Sequence, residues 1–503
     1  MSMIVNVAGA GAGKTTKMAD IIMAHDIPDG KVVFCIAFTN AAADNIKEKV
    51  AEKVNGVPDN IKISTIHSFL YKELIEPYYY FLYGKHFGQL STSSLPPSNC
   101  YRSKKLFELE QEGSLHITKI PEKAKWVVYQ KSKDTKEVKS VRKKVLSYFN
   151  SYCSAIYVDE AQDISKDIYD VLSALERAGV EIILYGDPKQ DVKGFGYFRQ
   201  IIDKSSDVHY FSDCYRCPQI HLNLSNTLAQ KDEKQVANCE NAVGSLEIVF
   251  ESDIDDVKEY IETENYGLCY ISQKRGEFYT HSSETIDECF ETLRHEVFRA
   301  MQEKWREETT EIEIERAAYF VAEKMLENYD QTGNPAVSIL QWAKNNAFDR
   351  LSRQKYAQMA SAFSMKKAEP TNVVIVKSIE IIKGLEASRC LFILTSDLAP
   401  YLFRTKTDDN KMSHLLYVAL TRSKDHLTIL ISQDIQIACN LFDIIIILAQ
   451  CRTGFRTVLV SLLDCPMAIF CDKSTMFPPV FLQGHITISF IFHTNSPLNP
   501  ILS

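Results

Sequence analysis

Short apolar runs alternate with amphipathic stretches along the first part of the chain. Apolar side chains recur with helical period over Lys14–Ala24 and over residues 41–54, and each of these stretches follows a short apolar run. Buried strands of a parallel sheet are continuous apolar runs, and the connections between them are helices. The alternation therefore predicts an α/β domain with a parallel sheet covered on both faces. Its predicted strands are residues 3–8, 32–38, 155–158 and 182–185.

The same pattern returns in the second half of the chain. A strand and helix pattern begins near Cys214, and strand-like runs resume at residues 373–376, 390–395 and 427–431. An aromatic, lysine-rich segment and a charged, helical segment interrupt the two parts, and we interpret both as insertions. The sequence predicts two α/β units, each with a mainly helical insertion. The predicted boundaries are 1–70 with 146–213 for the first unit, 71–145 for its insertion, 214–275 with 367–434 for the second unit, 276–366 for its insertion, and 435–503 for a C-terminal tail.

The C-terminal tail, residues 435–503, differs from the rest of the chain in composition. It has no glutamate and a single lysine, Lys473, and it is rich in Ile, Leu, Phe and Cys. Its longest apolar run, residues 444–449, is far shorter than the roughly 20 residues that span a membrane. Three interpretations stay open: a divergent terminal extension, a hydrophobic segment that docks a partner, and a read-through or frameshift product.

The composition indicates the class of protein but says little about its binding partners. Hydrophobic residues make up 45% and charged residues 24% of the 503-residue chain, which is ordinary for a globular protein. A formal net charge of −8 gives no sign of nucleic-acid binding, although an acidic protein can still carry a local basic groove. The 13 cysteines show no regular spacing, and Cys214 and Cys217 lack the second ligand pair of a structural zinc site. We therefore expect free thiols and a cytoplasmic protein that is not embedded in a membrane.

A glycine-rich loop follows the first predicted strand. It fits the pattern G-x-x-x-x-G-K-[ST], with Ala8 in the first position. Glycines let backbone N–H groups approach phosphate oxygens, the lysine reaches the β and γ phosphates, and the hydroxyl that follows it ligates Mg²⁺. We therefore expect Thr15 to hold the metal ion. The predicted nucleotide-binding residues are Ala8, Gly9, Ala10, Gly11, Ala12, Gly13, Lys14, Thr15 and Thr16.

Two adjacent carboxylates end another predicted strand. Asp159 and Glu160 come directly after the apolar run 155–158. Ligands of parallel sheets bind at the carboxyl ends of the strands, so these side chains should face the glycine-rich loop. We expect Asp159 to hold Mg²⁺ and Glu160 to orient or deprotonate the attacking water. The loop and the carboxylate pair together predict hydrolysis of a nucleoside triphosphate.

Together with six further segments, these two motifs resemble the motifs of the UvrD/Rep/PcrA-type superfamily 1A helicases, and they follow one another along the chain in the order of that family. Each segment alone is a weak match, whereas the ordered set is specific. The resemblance extends from the glycine-rich loop to Lys424. The further segments are F-T-N-A-A-A at 38–43, S-T-I-H-S-F at 64–69, G-D-P-K-Q at 186–190, Y-R at 215–216, K-G-L-E at 383–386 and L-Y-V-A-L-T-R-S-K at 416–424.

The resemblance implies a fold and a set of roles. The α/β units would be two RecA-like P-loop domains, 1A and 2A, and the insertions would be subdomains 1B and 2B. Gln190 would sense the γ-phosphate, and Arg216 and Arg422 would act on it as arginine fingers from the second unit. Glu386 would lie near the nucleotide. The family further implies ATP as substrate, Mg²⁺ as cofactor, single-stranded or partly duplex DNA as partner, and 3′ to 5′ translocation. The implied DNA contacts are Thr39, Asn40, His67, Lys193, Phe195 and Ser378.

The chain departs from the family pattern in several places. The glutamine motif that reads adenine lies upstream of the loop in the family, and seven residues precede Ala8 here, so the choice between ATP and other nucleotides stays open. Lys193 replaces an aromatic residue, and Phe195 takes a tryptophan position from which it can stack on a base. Glu380 stands where a histidine is common. The lysines between residues 123 and 144 either line a DNA groove or form a solvated helical face.

The biological role has more than one interpretation. The compact length and the segment Tyr215-Arg216-Cys217 resemble the helicase-like subunit of Gabija antiphage systems, which implies an OLD/TOPRIM-type, GajA-like nuclease as partner. A general repair helicase, or a plasmid or phage helicase, is the main alternative. The altered Lys193 and Glu380 motivate a further one, a non-unwinding ATPase that senses DNA and regulates a nuclease.

Overall fold

The alternation of apolar runs and amphipathic stretches becomes strand and helix in the computed structural model of the chain. The predicted helix Lys14–Ala24 is present with these bounds. The chain divides into two compact units, the first made of residues 1–66, 146–281 and 373–503, and the second of residues 67–145 and 282–372. The structure describes residues 3–54, 56–93, 95, 99–239, 243–273, 278–280, 283–305, 309, 311–345, 351–364, 374–438, 458–462, 465–469 and 486–489.

The described residues form both strands and helices. The strands are β1 Ile4–Ala8, β2 Val32–Ala37, β3 Ile61–Thr65, β4 Gln89–Ser91, β5 Ser114–His116, β6 Cys153–Val158, β7 Glu181–Gly186, β8 Val208–Phe211, β9 Asp213–Cys214, β10 Val236–Ala237, β11 Ser245–Phe250, β12 Leu268–Ile271, β13 Phe278–Thr280, β14 Val374–Ser378, β15 Ala387–Leu394, β16 Ser423–Ile431, β17 Val458–Leu462, β18 Cys465–Ile469 and β19 Ile486–Ser489. The α-helices are α1 Lys14–Ala24, α2 Asn40–Val54, α3 Ile66–Phe69, α4 Glu76–Tyr83, α5 Asn99–Gln111, α6 Ile120–Val128, α7 Lys136–Tyr152, α8 Lys166–Arg177, α9 Tyr197–Lys204, α10 Gln219–Ser225, α11 Val257–Glu264, α12 Ser283–Trp305, α13 Glu311–Thr332, α14 Pro335–Asn345, α15 Arg353–Phe363, α16 Ala399–Leu402, α17 Lys411–Leu420 and α18 Gln433–Ala438.

The first sheet contains the four strands predicted for the first α/β unit. Its order is β3-β2-β6-β7-β1-β8, and every pair in it is parallel. Met18 and Ile22 of α1 and Ile46 and Val50 of α2 are fully or almost fully buried against it. Because all strands run the same way, the loops after β1, β2, β6 and β7 meet at one edge of the sheet, where the nucleotide motifs begin.

The second sheet belongs to the same compact unit. Its order is β13-β14-β12-β15-β16-β11-β19-β17-β18, and the strands from β13 to β11 are parallel. The three strands from the predicted tail, β17 to β19, extend it in antiparallel fashion beyond β11. Buried Phe392 and Ile429 of this sheet belong to one core with Leu416 of α17. Two largely parallel sheets confirm the predicted α/β fold class.

The second compact unit is mainly helical. It contains α4, α5, α6 and α12 to α15 in addition to the short parallel pair β4 and β5. Leu293 and Val297 of α12 and Phe363 of α15 are buried in its core. A buried ion pair joins Lys105 to Glu296.

Two predictions concern membrane segments and the tail. No helix in the described part of the chain is long and apolar enough to cross a membrane. The apolar run 444–449, whose length was compared with that of a membrane span, lies outside the described residues. The domain boundaries predicted from the sequence stay predictions.

Candidate nucleotide site

The glycine-rich loop joins the carboxyl end of β1 to the amino end of α1. Gly13 precedes the first helical residue with a φ of 70°, in the left-handed region that suits glycine. Gly11 also has a positive φ, of 68°, and a Cβ atom there would lie 2.5 Å from Cβ of Arg216. The glycines therefore allow both the turn and a close approach of the second half of the unit. The amides that follow lie at a helix amino terminus, which favours anions.

A cleft of about 690 Å³ opens over this loop. Its volume lies within the range of small-molecule sites. Of the residues predicted to bind nucleotide, bind metal or catalyse hydrolysis, all line it except Ala8, which ends β1, and Gly9. The residues that line it are Ala10, Gly11, Ala12, Gly13, Lys14, Thr15, Thr16, Phe38, Thr39, Ala41, Ala42, Asn45, Lys49, Asp159, Glu160, Asp163, Gln190, Tyr215, Arg216, Lys383, Gly384, Leu385, Glu386, Arg422 and Lys424.

The residues predicted to hold the metal ion are in direct contact. The Thr15 hydroxyl donates to Oδ2 of Asp159 over 3.2 Å. Burial, and then the neighbouring Glu160, raise the pKa of Asp159 to about 6. A buried carboxylate of this kind favours a cation beside it, and one hydroxyl with one carboxylate suits Mg²⁺, which takes its other ligands from water and phosphates. Bound there, the ion would neutralise developing phosphate charge.

Glu160 follows β6 in a strained backbone conformation. Its φ of 54° and ψ of 42° place it in the left-handed region, which a residue other than glycine rarely adopts. Burial opposes its ionisation, but the ammonium groups of Lys14 and Lys383, 3.9 and 4.0 Å away, outweigh that effect and lower the pKa of Glu160. The Gln162 side-chain amide also donates to Glu160. The structure thus holds an ionised carboxylate, able to accept a proton, in the cleft.

Gln190 is connected to Glu160 through hydrogen bonds. The Gln190 amide donates to Oδ2 of Asp187 over 2.9 Å. The backbone N–H of Asp187 donates to Oε1 of Gln162 over 3.0 Å, and Gln162 is also the partner of Glu160. Burial opposes ionisation of Asp187, but Lys189 and then Lys14 lower its pKa. Hydrogen bonds thus join Gln190 to Glu160 through Asp187 and Gln162.

The two predicted arginine fingers line the cleft from the second half of the same compact unit, Arg216 after β9 and Arg422 before β16 of the second sheet. Nε of Arg216 donates to Oε2 of Glu386 over 2.5 Å, and Lys424 pairs with the other oxygen of Glu386 at 2.5 Å. The buried Arg422 donates to the carbonyl oxygen of Val418 and to the hydroxyl of Thr421, each over 3.0 Å. Burial, and then Arg216, lower the pKa of Arg422. Cationic groups therefore face the loop and the carboxylates across the cleft.

The predicted DNA contacts are more dispersed. Thr39 lies in the cleft, and its hydroxyl accepts from the N–H of Ala42 over 3.1 Å. The other five lie outside the lining. Asn40 begins α2, Ser378 ends β14, and His67 lies in α3. Phe195 is 38% exposed, and the side chain of Lys193, 52% exposed, lies 3.9 Å from Asp163.

Several cleft residues had no assigned role in the sequence. Nζ of Lys383 lies 2.7 Å from Oδ2 of Asp163, close to Glu160. Lys383 begins the K-G-L-E segment, and Asp163 lies three residues after Glu160 of the carboxylate pair, so nearness to these motifs was the available signal. Tyr215, which is 50% exposed, and Lys424 also line the cleft and flank the two predicted arginines in sequence.

Comparisons with known proteins agree with the nucleotide site. Residues 1–196 match the family model AAA_19, described as an AAA domain. No curated protein matches the chain.

Two solved helicase structures are similar at low levels. One is a complex of Arterivirus nonstructural protein 10 (helicase) with DNA, at 9% identity and a TM-score of 0.33, covering 85% of this chain and 60% of that one. The other is a PRRSV helicase, at 9% identity and a TM-score of 0.32, covering 85% of this chain and 52% of that one. The chain thus spans 60% and 52% of the length of these two proteins. The match of residues 1–196 to an AAA domain, together with the geometry of the loop, confirms the P-loop NTPase predicted from the sequence.

Proposed function

We propose that the chain is an ATP-dependent DNA motor, a helicase or translocase of UvrD-like type that hydrolyses nucleotide on single-stranded DNA. One observation carries the proposal: the loop and carboxylates at the edge of the first sheet share a cleft with Arg216, which follows β9, and with Arg422, which precedes β16 of the second sheet. Two sheets that contact one nucleotide can be drawn together by it and released on hydrolysis, which is what a motor requires.

The site residues divide the chemistry among them. Amides of the loop and Lys14 bind the phosphates, while Thr15 and Asp159 would hold Mg²⁺. Glu160 accepts a proton from the attacking water, whose oxygen forms the new bond to the γ-phosphorus as the bond to the β–γ bridging oxygen breaks. Arg216, now paired with Glu386, exchanges that carboxylate for the γ-phosphate and neutralises its charge.

Movement along DNA follows from the exchange of partners. With nucleotide bound, contacts from both sheets favour the closed cleft, and hydrolysis removes those contacts. The DNA strand would lie at the carboxyl ends of the strands of the first sheet, near Thr39, Asn40 and the exposed Phe195. It would advance with each cycle of hydrolysis. The direction, 3′ to 5′, rests on the family resemblance.

A strand-displacement assay tests the proposal. Duplexes with a 3′ or a 5′ single-stranded tail are incubated with ATP, Mg²⁺ and either the wild-type chain or Lys14→Ala. Displacement of the 3′-tailed duplex by the wild type alone supports the motor. Hydrolysis that DNA does not influence, without displacement of either duplex, contradicts it.

A non-unwinding ATPase that senses DNA and regulates a nuclease is the second candidate. Two of the residues that depart from the family pattern have ion-pair partners at the surface of the chain: Glu380 pairs with Lys411 at 2.6 Å, and Lys193 lies 3.9 Å from Asp163. Pairing with carboxylates of the chain competes with the contact of Lys193 and Lys411 with DNA phosphates. DNA-stimulated hydrolysis without strand displacement would support this sensor.

The proposed pathway is antiphage defence with an OLD/TOPRIM-type nuclease. It rests on the resemblance of Tyr215-Arg216-Cys217 and of the chain length to the Gabija helicase-like subunit. Co-purification with a TOPRIM-containing nuclease encoded beside this chain tests it. Failure to form such a complex, together with rescue of a DNA repair defect, would support a general repair helicase instead.

A further inference from the structure

We infer that Tyr417 is a positioning residue that fixes the glycine-rich loop in the conformation that binds nucleotide. The inference rests on the proposed function, because it concerns the same nucleotide site. Tyr417 is fully buried on α17 and does not line the cleft. It therefore acts through the loop rather than on the nucleotide.

Tyr417 belongs to a closed ring of hydrogen bonds with Ala10 and Gln235, which we call the Ala10–Gln235–Tyr417 triad. The N–H of Ala10 donates to the Tyr417 hydroxyl over 3.1 Å. That hydroxyl donates to Oε1 of Gln235 over 2.9 Å, and Nε2 of Gln235 donates to the Ala10 carbonyl oxygen over 3.1 Å. The thiol of Cys214 donates to the same carbonyl over 3.2 Å. Both backbone polar groups of Ala10 are thus held by side chains from the second half of the compact unit.

The triad is buried and tightly packed. Gln235 is 2% exposed, and a Cβ atom added at Gly9 would collide with its side-chain amide. An amide buried in this way has no water to replace a lost partner, so removing the Tyr417 hydroxyl leaves the Ala10 N–H unsatisfied. The loop would then have to move to recover a hydrogen bond.

Tyr417 also lies beside two other segments of the site. Nζ of Lys189 lies 5.0 Å from the centre of the Tyr417 ring. Lys189, which precedes Gln190 in the sequence, also pairs with Asp187 at 3.3 Å. In the same helix, the carbonyl of Val418 accepts from Arg422. One side chain thus connects the loop with the segment that carries Gln190 and the helix that anchors Arg422.

The triad contacts the loop at Ala10, which precedes in sequence the amides that would face the phosphates. Ala10 precedes Gly11, and the amides beyond it lead into the amino terminus of α1, where phosphates bind. The triad consequently leaves those amides available and sets where they point. Its loss should weaken nucleotide binding and leave the bond-breaking step nearly unchanged, because Glu160 and Asp159 keep their own partners.

Steady-state ATP hydrolysis by Tyr417→Phe tests the inference, with Tyr185→Phe as the matched control. Tyr185 is also buried, and its hydroxyl has no hydrogen-bond partner in the described structure. The phenylalanine at 417 keeps the ring beside Lys189 and loses the two hydrogen bonds. We expect KM for ATP to rise about tenfold with kcat nearly constant, since losing uniform binding raises KM alone. Gln235→Leu should raise KM similarly, and the double variant should be no worse than either single one.

Other outcomes overturn the inference. Unchanged KM in Tyr417→Phe would do so, as would an equal rise in Tyr185→Phe or a lower kcat at unchanged KM, which reports fewer active molecules. If Tyr417→Phe does not fold, Gln235→Leu decides by the same criteria. Should the wild type fail to hydrolyse ATP at all, the proposed function fails, and binding of a fluorescent ATP analogue by the same variants decides the role of Tyr417.

Discussion

At the residue scale, the site shifts the pKa values of two adjacent carboxyl groups in opposite directions. Burial and Glu160 raise the pKa of Asp159 to about 6, whereas Lys14 and Lys383 overcome burial and lower the pKa of Glu160. A pair of neighbouring carboxyl groups with diverging pKa values is typical of catalytic sites. The adjacent pair at the end of β6 was recognisable in the sequence, whereas Lys383, which helps to separate them, had no assigned role.

The first prediction separates binding from chemistry at this pair. Lys14→Ala should abolish both nucleotide binding and turnover, because it removes the cation that faces the phosphates. Glu160→Gln should retain binding and lower kcat by about 10²- to 10⁴-fold, the usual contribution of a general base. Phosphate release and binding of a fluorescent ATP analogue measure the two effects. Lys47→Ala, an exposed lysine paired with Asp44, is the control and should behave as the wild type. Near-normal turnover in both site variants would overturn the assignment.

The second prediction concerns Arg216. Arg216→Ala should lower kcat by about 10³-fold or more with a smaller effect on nucleotide affinity, as expected of an arginine finger. Arg389→Ala removes a different arginine, paired with Glu264 at 2.7 Å, and should leave kcat unchanged. The same assays report both variants. Equal kcat values for Arg216→Ala and the wild type would mean that the Arg216–Glu386 pair is merely structural.

At the element scale, the pattern of apolar runs located central strands better than edge strands. β6 and β7 lie in the middle of the first sheet, and their residues are almost all buried, so each is a continuous apolar run. The edge strands β3 and β8 are mostly half-buried or exposed and include Lys62 and His209. Their sequences therefore lack the apolar run on which the prediction depended.

Helix α17 carries a third prediction, on pH. Its His414 contacts the carbonyl oxygen of Asp191 through Nδ1 at 3.0 Å and the carboxylate of Asp409 through Nε2 at 2.6 Å. Both partners only accept hydrogen bonds, so both ring nitrogens must carry protons. Burial opposes the charge, but Asp409 and the Asp191 carbonyl outweigh it and raise the pKa of His414. Arg199 also pairs with Asp409, at 3.3 Å.

A raised histidine pKa has a defined sign in stability. The stabilisation is fully present below the ordinary pKa near 6.5 and is lost as the pH rises through the raised value. His414→Gln should therefore lower the free energy of unfolding by roughly 1–3 kcal/mol at low pH and by less above the raised pKa. Urea unfolding from about pH 6 to pH 9 measures this, with His209→Gln, an exposed histidine paired with Asp207, as control. A pH-independent difference would contradict the protonated His414.

At the scale of the whole molecule, the order of the motifs predicted more of the structure than any single motif did. The ordered motifs predicted two α/β units and most of the cleft lining. The motifs did not predict contacts between residues far apart in sequence. Lys383 forms an ion pair with Asp163, 220 residues away, and Ala10 forms a hydrogen bond with Tyr417, 407 residues away. Such pairs depend on how the two sheets pack, which spacing within a motif does not encode.

The central claim is that one cleft couples nucleotide hydrolysis to DNA. Phosphate release by the wild-type chain, measured with Mg²⁺ and ATP in the presence and absence of single-stranded DNA, tests it most directly, with Glu160→Gln as the inactive control. We expect slow hydrolysis without DNA, clear stimulation by the DNA, and neither in the variant. Hydrolysis that is equal with and without DNA, or that persists in Glu160→Gln, would contradict it.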